Sequence, residues 1–276
     1  MEIAYKPKTL EEALKIKNDL NCTVYAGGTD LMVKYKNLSI PNIKNTVIFI
    51  SDLKELKNIK INEKIEIGAC VTQSELIHSN LPNIIKNISS QISSPAIRNL
   101  GTIGGNICNA SPAGDLLPLL YSLDSKLTLQ SYDSIQEVLI YDFIISPGKI
   151  KLKENEILTK ISFKNINFNN IYYKKVGTRK SNALSKISFL GLANINNENK
   201  IEDIRISFGA VGPTVIRNKE LENSLINKKV NDLRINRILN SYSEVIKPID
   251  DLRSTSKYRK TVSLNLLENF LRGLVR

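Results

Sequence analysis

Cys22-Thr23-Val24-Tyr25-Ala26-Gly27-Gly28-Thr29-Asp30-Leu31 is the stretch from which the fold is read. Its β-branched and aromatic start predicts a short strand. Gly27-Gly28 ends that strand, and Leu31 to Lys36 reads as a helix. Upstream, Thr9 with Glu12 three residues on is a helix-start signal, and Leu10, Ala13 and Leu14 keep helical spacing. Downstream, Thr46 to Ser51 is a second β-rich run, so residues up to about 55 form a β–α–β unit around a glycine turn. Two consecutive glycines let the backbone take positive φ and approach a ligand closely. Successive N–H groups there make an anion-binding concavity ahead of a helix, and Thr29 adds a hydroxyl. The same residues also make a plain strand–helix turn with Asp30 as its early acid. The spacing is not G-x-G-x-x-G, so the dinucleotide fingerprint does not apply.

A second glycine pair lies in Thr102-Ile103-Gly104-Gly105-Asn106-Ile107-Cys108-Asn109-Ala110-Ser111-Pro112-Ala113-Gly114-Asp115. Small polar groups flank it, and the segment from Ser93 to Asp115 reads as one long loop. Ser111-Pro112 predicts a helix start, which would place Asp115 about one turn into that helix. Two glycine turns suit two phosphates, hence a pyrophosphate. A third feature, Tyr172 to Lys180, carries four basic residues around Gly177. It is either an exposed strand end or a place where an ammonium meets an electron-rich ring, and the residue types alone do not decide.

Around these features the chain reads as strands at Ile65–Ala69, Lys126–Gln130, Ile157–Phe163, Ile171–Val176, Ile187–Ile195 and Ile201–Ala210. Helices are expected at Ser74–Ser79, Leu81–Gln91, Leu116–Leu123, Leu221–Ile226 and Leu264–Val275. The Asn-rich run from Asn165 places a boundary near residue 165. The 276 residues are 42% hydrophobic with a net charge of +12, and the charge is spread without a run of five or six like residues. That distribution fits an acidic partner or an anionic cofactor better than nucleic acid. No apolar run is long enough for a membrane span, and Met1–Lys8 lacks a signal-peptide pattern. Three scattered cysteines (Cys22, Cys70, Cys108) form neither a disulfide framework nor a metal motif and fit a reducing cytoplasm. The single histidine, His78, excludes multi-histidine metal centres and reads as a surface residue.

Taken in order, these stretches resemble the flavin-binding medium subunit of the molybdenum hydroxylases, the family of xanthine dehydrogenase, nicotinate dehydrogenase and aerobic carbon monoxide dehydrogenase. The resemblance spans nearly the whole chain. It includes Pro7 to Leu14 ahead of Ala26 to Leu31, Ile67 to Leu76, Ser94 to Asn106, Gly209-Ala210-Val211-Gly212-Pro213-Thr214, and Ser256-Lys257-Tyr258-Arg259. The implied fold is α+β. A two-subdomain FAD-binding (PCMH-type) region, residues 1–165 with subdomains of about 1–55 and 56–165, precedes a C-terminal antiparallel sheet with a small helical bundle, residues 166–276.

The resemblance implies FAD, with Thr23, Val24, Tyr25, Ala26, Gly27, Gly28, Thr29, Asp30 and Leu31 on one side of its pyrophosphate groove. Thr102, Ile103, Gly104, Gly105 and Asn106 would face it from the other. Asn109 and Asp115 approach the cofactor, Asp115 on the ribityl side; Leu158 packs on the ring and Lys175 stands at its edge. Molybdopterin and 2Fe-2S clusters would reside on a large and a small partner subunit of a heterotrimer. Electrons would arrive from the clusters and leave to NAD or another acceptor, with no catalytic side chain required on this chain. The carbon monoxide branch carries His-Ser where this chain has Thr29-Asp30, so the sequence leans toward the xanthine and nicotinate branches. Too few cysteines are present for the extra iron–sulfur cluster of a related branch. The rival readings are a self-contained flavoprotein oxidoreductase, for which no substrate cap is visible, and a basic binding module without redox chemistry.

Overall fold

A computed structural model describes residues 4–34, 46–179 and 182–275. In chain order the first elements are β1 (Ala4–Tyr5), α1 (Leu10–Asp19), β2 (Cys22–Tyr25), α2 (Leu31–Lys34) and β3 (Thr46–Phe49). Next come β4 (Ile59–Ile61), β5 (Lys64–Gly68), α3 (Gln73–His78), α4 (Asn83–Ser90), α5 (Pro95–Arg98), α6 (Ile103–Cys108) and α7 (Leu117–Ser122). Then follow β6 (Lys126–Gln130), β7 (Ile135–Leu139), α8 (Ile140–Phe143), β8 (Ile144–Ser146), β9 (Lys149–Ile150) and β10 (Ile157–Lys164). The last are β11 (Asn170–Val176), β12 (Ile187–Ile195), β13 (Ile201–Gly209), β14 (Ile216–Arg217), α9 (Lys219–Asn223), α10 (Ile235–Val245) and α11 (Ser256–Leu274). The fold is α+β, as expected. The chain divides into two compact units, Met1–Ala110 with Asp124–Asn165, and Ser111–Leu123 with Ile166–Arg276.

In the first unit, β1, β3 and β2 form a parallel sheet in that order. The Thr9 hydroxyl accepts the Glu12 N–H at 3.1 Å and starts α1, as the spacing predicts. Ala13 and Leu14 of α1 then pack with Cys22, Ile48 and Ile50 in one apolar cluster. A second, antiparallel sheet runs β4-β5-β10-β6-β7. A complete capping box between Thr72 and Glu75 opens α3. The expected helix from Leu31 is present through Lys34; its continuation to Lys36 lies outside the described residues.

The expected loop from Ser93 to Asp115 contains two short helices, α5 and α6. Gly104 and Gly105 are therefore helical, because Thr102 caps α6 by accepting the Gly105 N–H at 3.0 Å. The expected helix start at Ser111-Pro112 is also corrected. Those residues form a turn, α7 begins at Leu117 with a proline in its first turn, and Asp115 precedes the helix.

The second unit is built on the antiparallel order β11-β12-β13-β14. One face carries the core: Phe189, Phe208, Tyr242, Leu267 and Phe270 pack among the strands, α10 and α11. Gly191 makes room for α11, since a Cβ there would lie 2.6 Å from the Phe270 ring. The sequence reading runs its first domain unbroken to residue 165. In the structure Ser111–Leu123 joins the second unit, because α7 packs on β12 and β13 and the Ser122 hydroxyl bonds that of Ser207 at 2.8 Å. The helix expected from Leu264 begins at Ser256, where Thr255 caps it, and α10 was not foreseen.

Candidate functional site

β2 delivers the glycine turn of the first unit. Tyr25, at its end, packs its ring on Phe49 with centroids 4.9 Å apart. Gly28 takes φ +67°, and a Cβ there would fall 2.0 Å from the Tyr25 hydroxyl oxygen. A Cβ on Gly27 would stand 1.9 Å from the Leu100 carbonyl oxygen, so only glycine lets this turn lie against Leu100–Gly101. A Cβ on Gly101 would in turn touch the Thr29 hydroxyl at 3.4 Å. The two glycine stretches, remote in sequence, thus meet at Leu100–Gly101, one residue before Thr102. The turn is closed by the Met32 N–H donating to Gly28 O at 2.9 Å. Among the described residues the N–H groups of Gly27, Gly28 and Thr29 have no protein acceptor.

The second stretch works differently from the expected open turn. Ile103 and Gly104 donate to Val71 O and Ala69 O, each at 2.9 Å, and Gly105 and Asn106 donate to the Thr102 hydroxyl and carbonyl. The N-terminal N–H groups of α6 are thereby used inside the protein. Gly104 permits close packing, since its Cβ would meet Ala69 at 2.7 Å. Gly105 is exposed, and an added Cβ would meet only the Thr102 hydroxyl within 4 Å. Asn106 follows, with its side-chain carbonyl oxygen buried and unpartnered. Asn109 caps the far end of α6 and is half-buried. Leu158 is buried in β10, where the pairing with β6 shifts register between Leu158 and Lys160.

The second unit holds the remaining expected residues. Alternation along β11 puts Tyr173 and Lys175 on one face and Tyr172 on the other, where it packs against Phe189 and Phe270. Lys175 Nζ donates to Asp115 Oδ2 at 2.6 Å, with side-chain exposures of 10% and 8%. The Ser185 hydroxyl donates to Asp115 Oδ1 at 2.5 Å. Burial pushes the Asp115 carboxyl up from its ordinary range, while Lys175 and Ser185 pull it back in part. Tyr173 is held well above the ordinary phenol range by burial and by the nearby Asp115, and its hydroxyl is buried without a partner. Lys175 is therefore a buried ion-pair member and no exposed strand end. Lys180, the last basic residue of that stretch, lies outside the described residues. His78 is exposed, as expected, its Nδ1 2.8 Å from Ser74 O. Ser185 went unnoticed in the sequence because nothing local marks it; only the approach of Asp115 gives it a role.

Residues 1–163 match the family model described as the FAD binding domain in molybdopterin dehydrogenase. The chain belongs to the FAD-binding medium subunits of the molybdenum hydroxylases. Residues 171–274 match a second model, the CO dehydrogenase flavoprotein C-terminal domain. The glyceraldehyde dehydrogenase medium chain of Sulfolobus acidocaldarius is 31% identical over 95% of this chain and 94% of its own. The xanthine dehydrogenase FAD-binding subunit of Escherichia coli O157:H7 is 27% identical over 98% and 94%. The nicotinate dehydrogenase FAD-subunit of Eubacterium barkeri is 31% identical over 80% and 78%. The carbon monoxide dehydrogenase structure from Hydrogenophaga pseudoflava shares the fold, with a TM-score of 0.88 at 22% identity over 97% of this chain and 95% of that one.

The residues of this medium subunit fit FAD. Unpaired N–H groups in the glycine turn suit a phosphate oxygen. The buried Asn106 oxygen lacks a donor, and the Gly105 face would be filled by a Cβ. In the second unit the Tyr173 hydroxyl is a buried donor without an acceptor.

Proposed function

We propose that this chain is the electron-transferring FAD subunit of a xanthine dehydrogenase-like molybdenum hydroxylase. The observation that carries the reading is the glycine turn seated on Leu100–Gly101, with the Gly27, Gly28 and Thr29 N–H groups lacking an acceptor among the described residues. Thr23 to Leu31 and Thr102 to Asn106 would hold the pyrophosphate, with the 27–29 N–H groups as donors and Gly105 leaving space. Asn109 and Asp115 would contact the ribityl side, Leu158 the ring and Lys175 its edge. Bound FAD supplies the exchange between single-electron input and two-electron output. Asp115 and Lys175 form a buried ion pair, and the Lys175 ammonium, as its cationic end, would favour electron uptake by a ring held beside it. Ser185 fixes the Asp115 carboxylate so that the pair keeps one geometry.

A molybdenum-binding large subunit and a 2Fe-2S small subunit are the proposed partners, and NAD or another carrier the acceptor. The relatives are named for glyceraldehyde, xanthine and nicotinate, yet they align over most of this chain. That range supports a substrate chosen by the partner. Thr29-Asp30, in place of His-Ser, supports the xanthine and nicotinate branches. The test is purification of the full chain, alone and co-expressed with the genes beside it. The expected result is a yellow protein releasing one FAD per chain, with molybdenum and iron co-purifying in the complex. A chain that stays colourless after incubation with FAD refutes the proposal.

A further inference from the structure

We infer that Arg259 is a positioning residue for Asp115, acting through Ala210 and Pro112, an inference that rests on the proposed FAD site. Two of the segments carrying the family resemblance, Gly209 to Thr214 and Ser256 to Arg259, have no chemistry attached to them in the sequence. The structure joins them. Arg259 lies in the first turns of α11 with its side chain only 6% exposed, and Nη1 donates to Ala210 O at 2.7 Å. Ala210 takes φ +62°, a conformation that alanine adopts only when its surroundings enforce it. Its N–H donates to Pro112 O at 2.8 Å. Pro112 belongs to the turn that closes with the Gly114 N–H on Ser111 O and leads directly into Asp115. Arg259, Ala210 and Pro112 thus form a chain of hydrogen bonds that ends three residues before the carboxylate held by Lys175 and Ser185.

Packing alone does not account for an arginine here. Its Nε and Nη2 are buried without a hydrogen-bond partner among the described residues, Nη2 having only an ion-pair contact, and buried orphaned donors are costly. Asp251 Oδ1, 2.7 Å from Nη2, orients the guanidinium from the loop before α11. Asp251 is itself fixed by the N–H groups of Arg253 and Ser254, at 2.8 and 3.1 Å. An apolar side chain would fill the space more cheaply but would release the Ala210 carbonyl and, with it, the strained φ that aims the Ala210 N–H at Pro112.

A double-mutant cycle on the full-length chain tests this. Arg259→Met and Arg259→Lys are made with Asp115 intact and in an Asp115→Asn background, and FAD dissociation is measured by flavin fluorescence. With Asp115 intact, Arg259→Met should weaken FAD binding about tenfold, and Arg259→Lys, which keeps a donor for Ala210 O, should recover part of it. In the Asp115→Asn background the same change should alter binding by less than about twofold. Equal losses in both backgrounds, or no loss in either, overturn the inference, since a merely structural role does not depend on the Asp115 charge. If Arg259→Met does not fold, Asp251→Asn in the exposed loop replaces it, with a smaller loss that must again vanish without the Asp115 charge. A wild-type chain that takes up no FAD would instead remove the proposed function itself.

Discussion

Replacing Lys175 by methionine separates a buried functional pair from a surface contact. Lys175 Nζ stands 2.6 Å from Asp115 Oδ2, and both side chains are about nine-tenths covered. Lys175→Met keeps most of the volume but strands a buried carboxylate, and breaking such a pair costs about 3–5 kcal/mol. At about 2–4 °C per kcal/mol for a chain of this size, melting should fall by roughly 6–20 °C near neutral pH. The pH dependence carries a sign. Burial already raises the folded Asp115 carboxyl above the ordinary carboxylate range, so its contribution to stability declines as pH rises through the raised value. Removing Lys175 raises the folded value further. The cost of the substitution should therefore be smallest at acid pH, below the raised folded value, where the carboxyl holds its proton, and largest at alkaline pH above it. Asp115→Asn in the same chain should restore much of the loss, because a neutral pair strands no charge. Thermal melts of wild type, both single variants and the double variant across that range make the measurement. A loss below about 1 kcal/mol, or one that ignores pH, is the behaviour of a solvated surface pair and refutes the reasoning.

With FAD bound, Lys175→Met should lower the flavin midpoint by roughly 20–60 mV, since 30 mV is about 1.4 kcal/mol for a two-electron couple and a charge-assisted contact contributes about 1–3 kcal/mol. Asp115→Asn should raise it, and a spectroelectrochemical titration showing no movement in either variant removes the pair from the ring. Gly27→Ala should lower both melting temperature and FAD content, because its Cβ meets a backbone carbonyl at 1.9 Å. Gly105→Val should lose FAD while circular dichroism stays near wild type and melting falls only modestly, since its Cβ crowds the Thr102 hydroxyl at 2.9 Å; a valine variant that keeps stoichiometric flavin rules out Gly105 as a cofactor contact. Burial pushes the Cys70 thiol up to about 12, so a thiol reagent near neutral pH should not label Cys70 before denaturation. The purified chain should not hydroxylate purines without its partners, and turnover by this chain alone would overturn the subunit assignment.

Much of the first unit is legible because its signals are local. Thr9 and Glu12 mark α1, the Val24–Tyr25 run marks β2, and Gly27-Gly28 marks the turn between sheet and helix. The bounds of β6 and β12 agree with the structure residue for residue. The Thr72–Glu75 capping box is equally available in the sequence, although the expected helix starts at Ser74, one residue after the first residue of α3. Short edge strands such as β1, β4 and β14 were not legible, since two or three residues carry too little periodicity to stand out.

The sequence by itself determined the strand–turn–helix order, the paired glycines and the basic stretch around Lys175, because propensity, capping and conformational freedom act within a few residues. Only the tertiary structure decided that Gly104 packs a helix on Ala69 while Gly105 stays open, two neighbours with the same local signal. It also decided that Ser111–Leu123 belongs with the second unit, and that Lys175 meets Asp115 and Ser185. Those outcomes depend on which surfaces bury one another and on the register of β11. A buried carboxylate must find its cation wherever the chain brings one, and that partner can lie anywhere in the sequence.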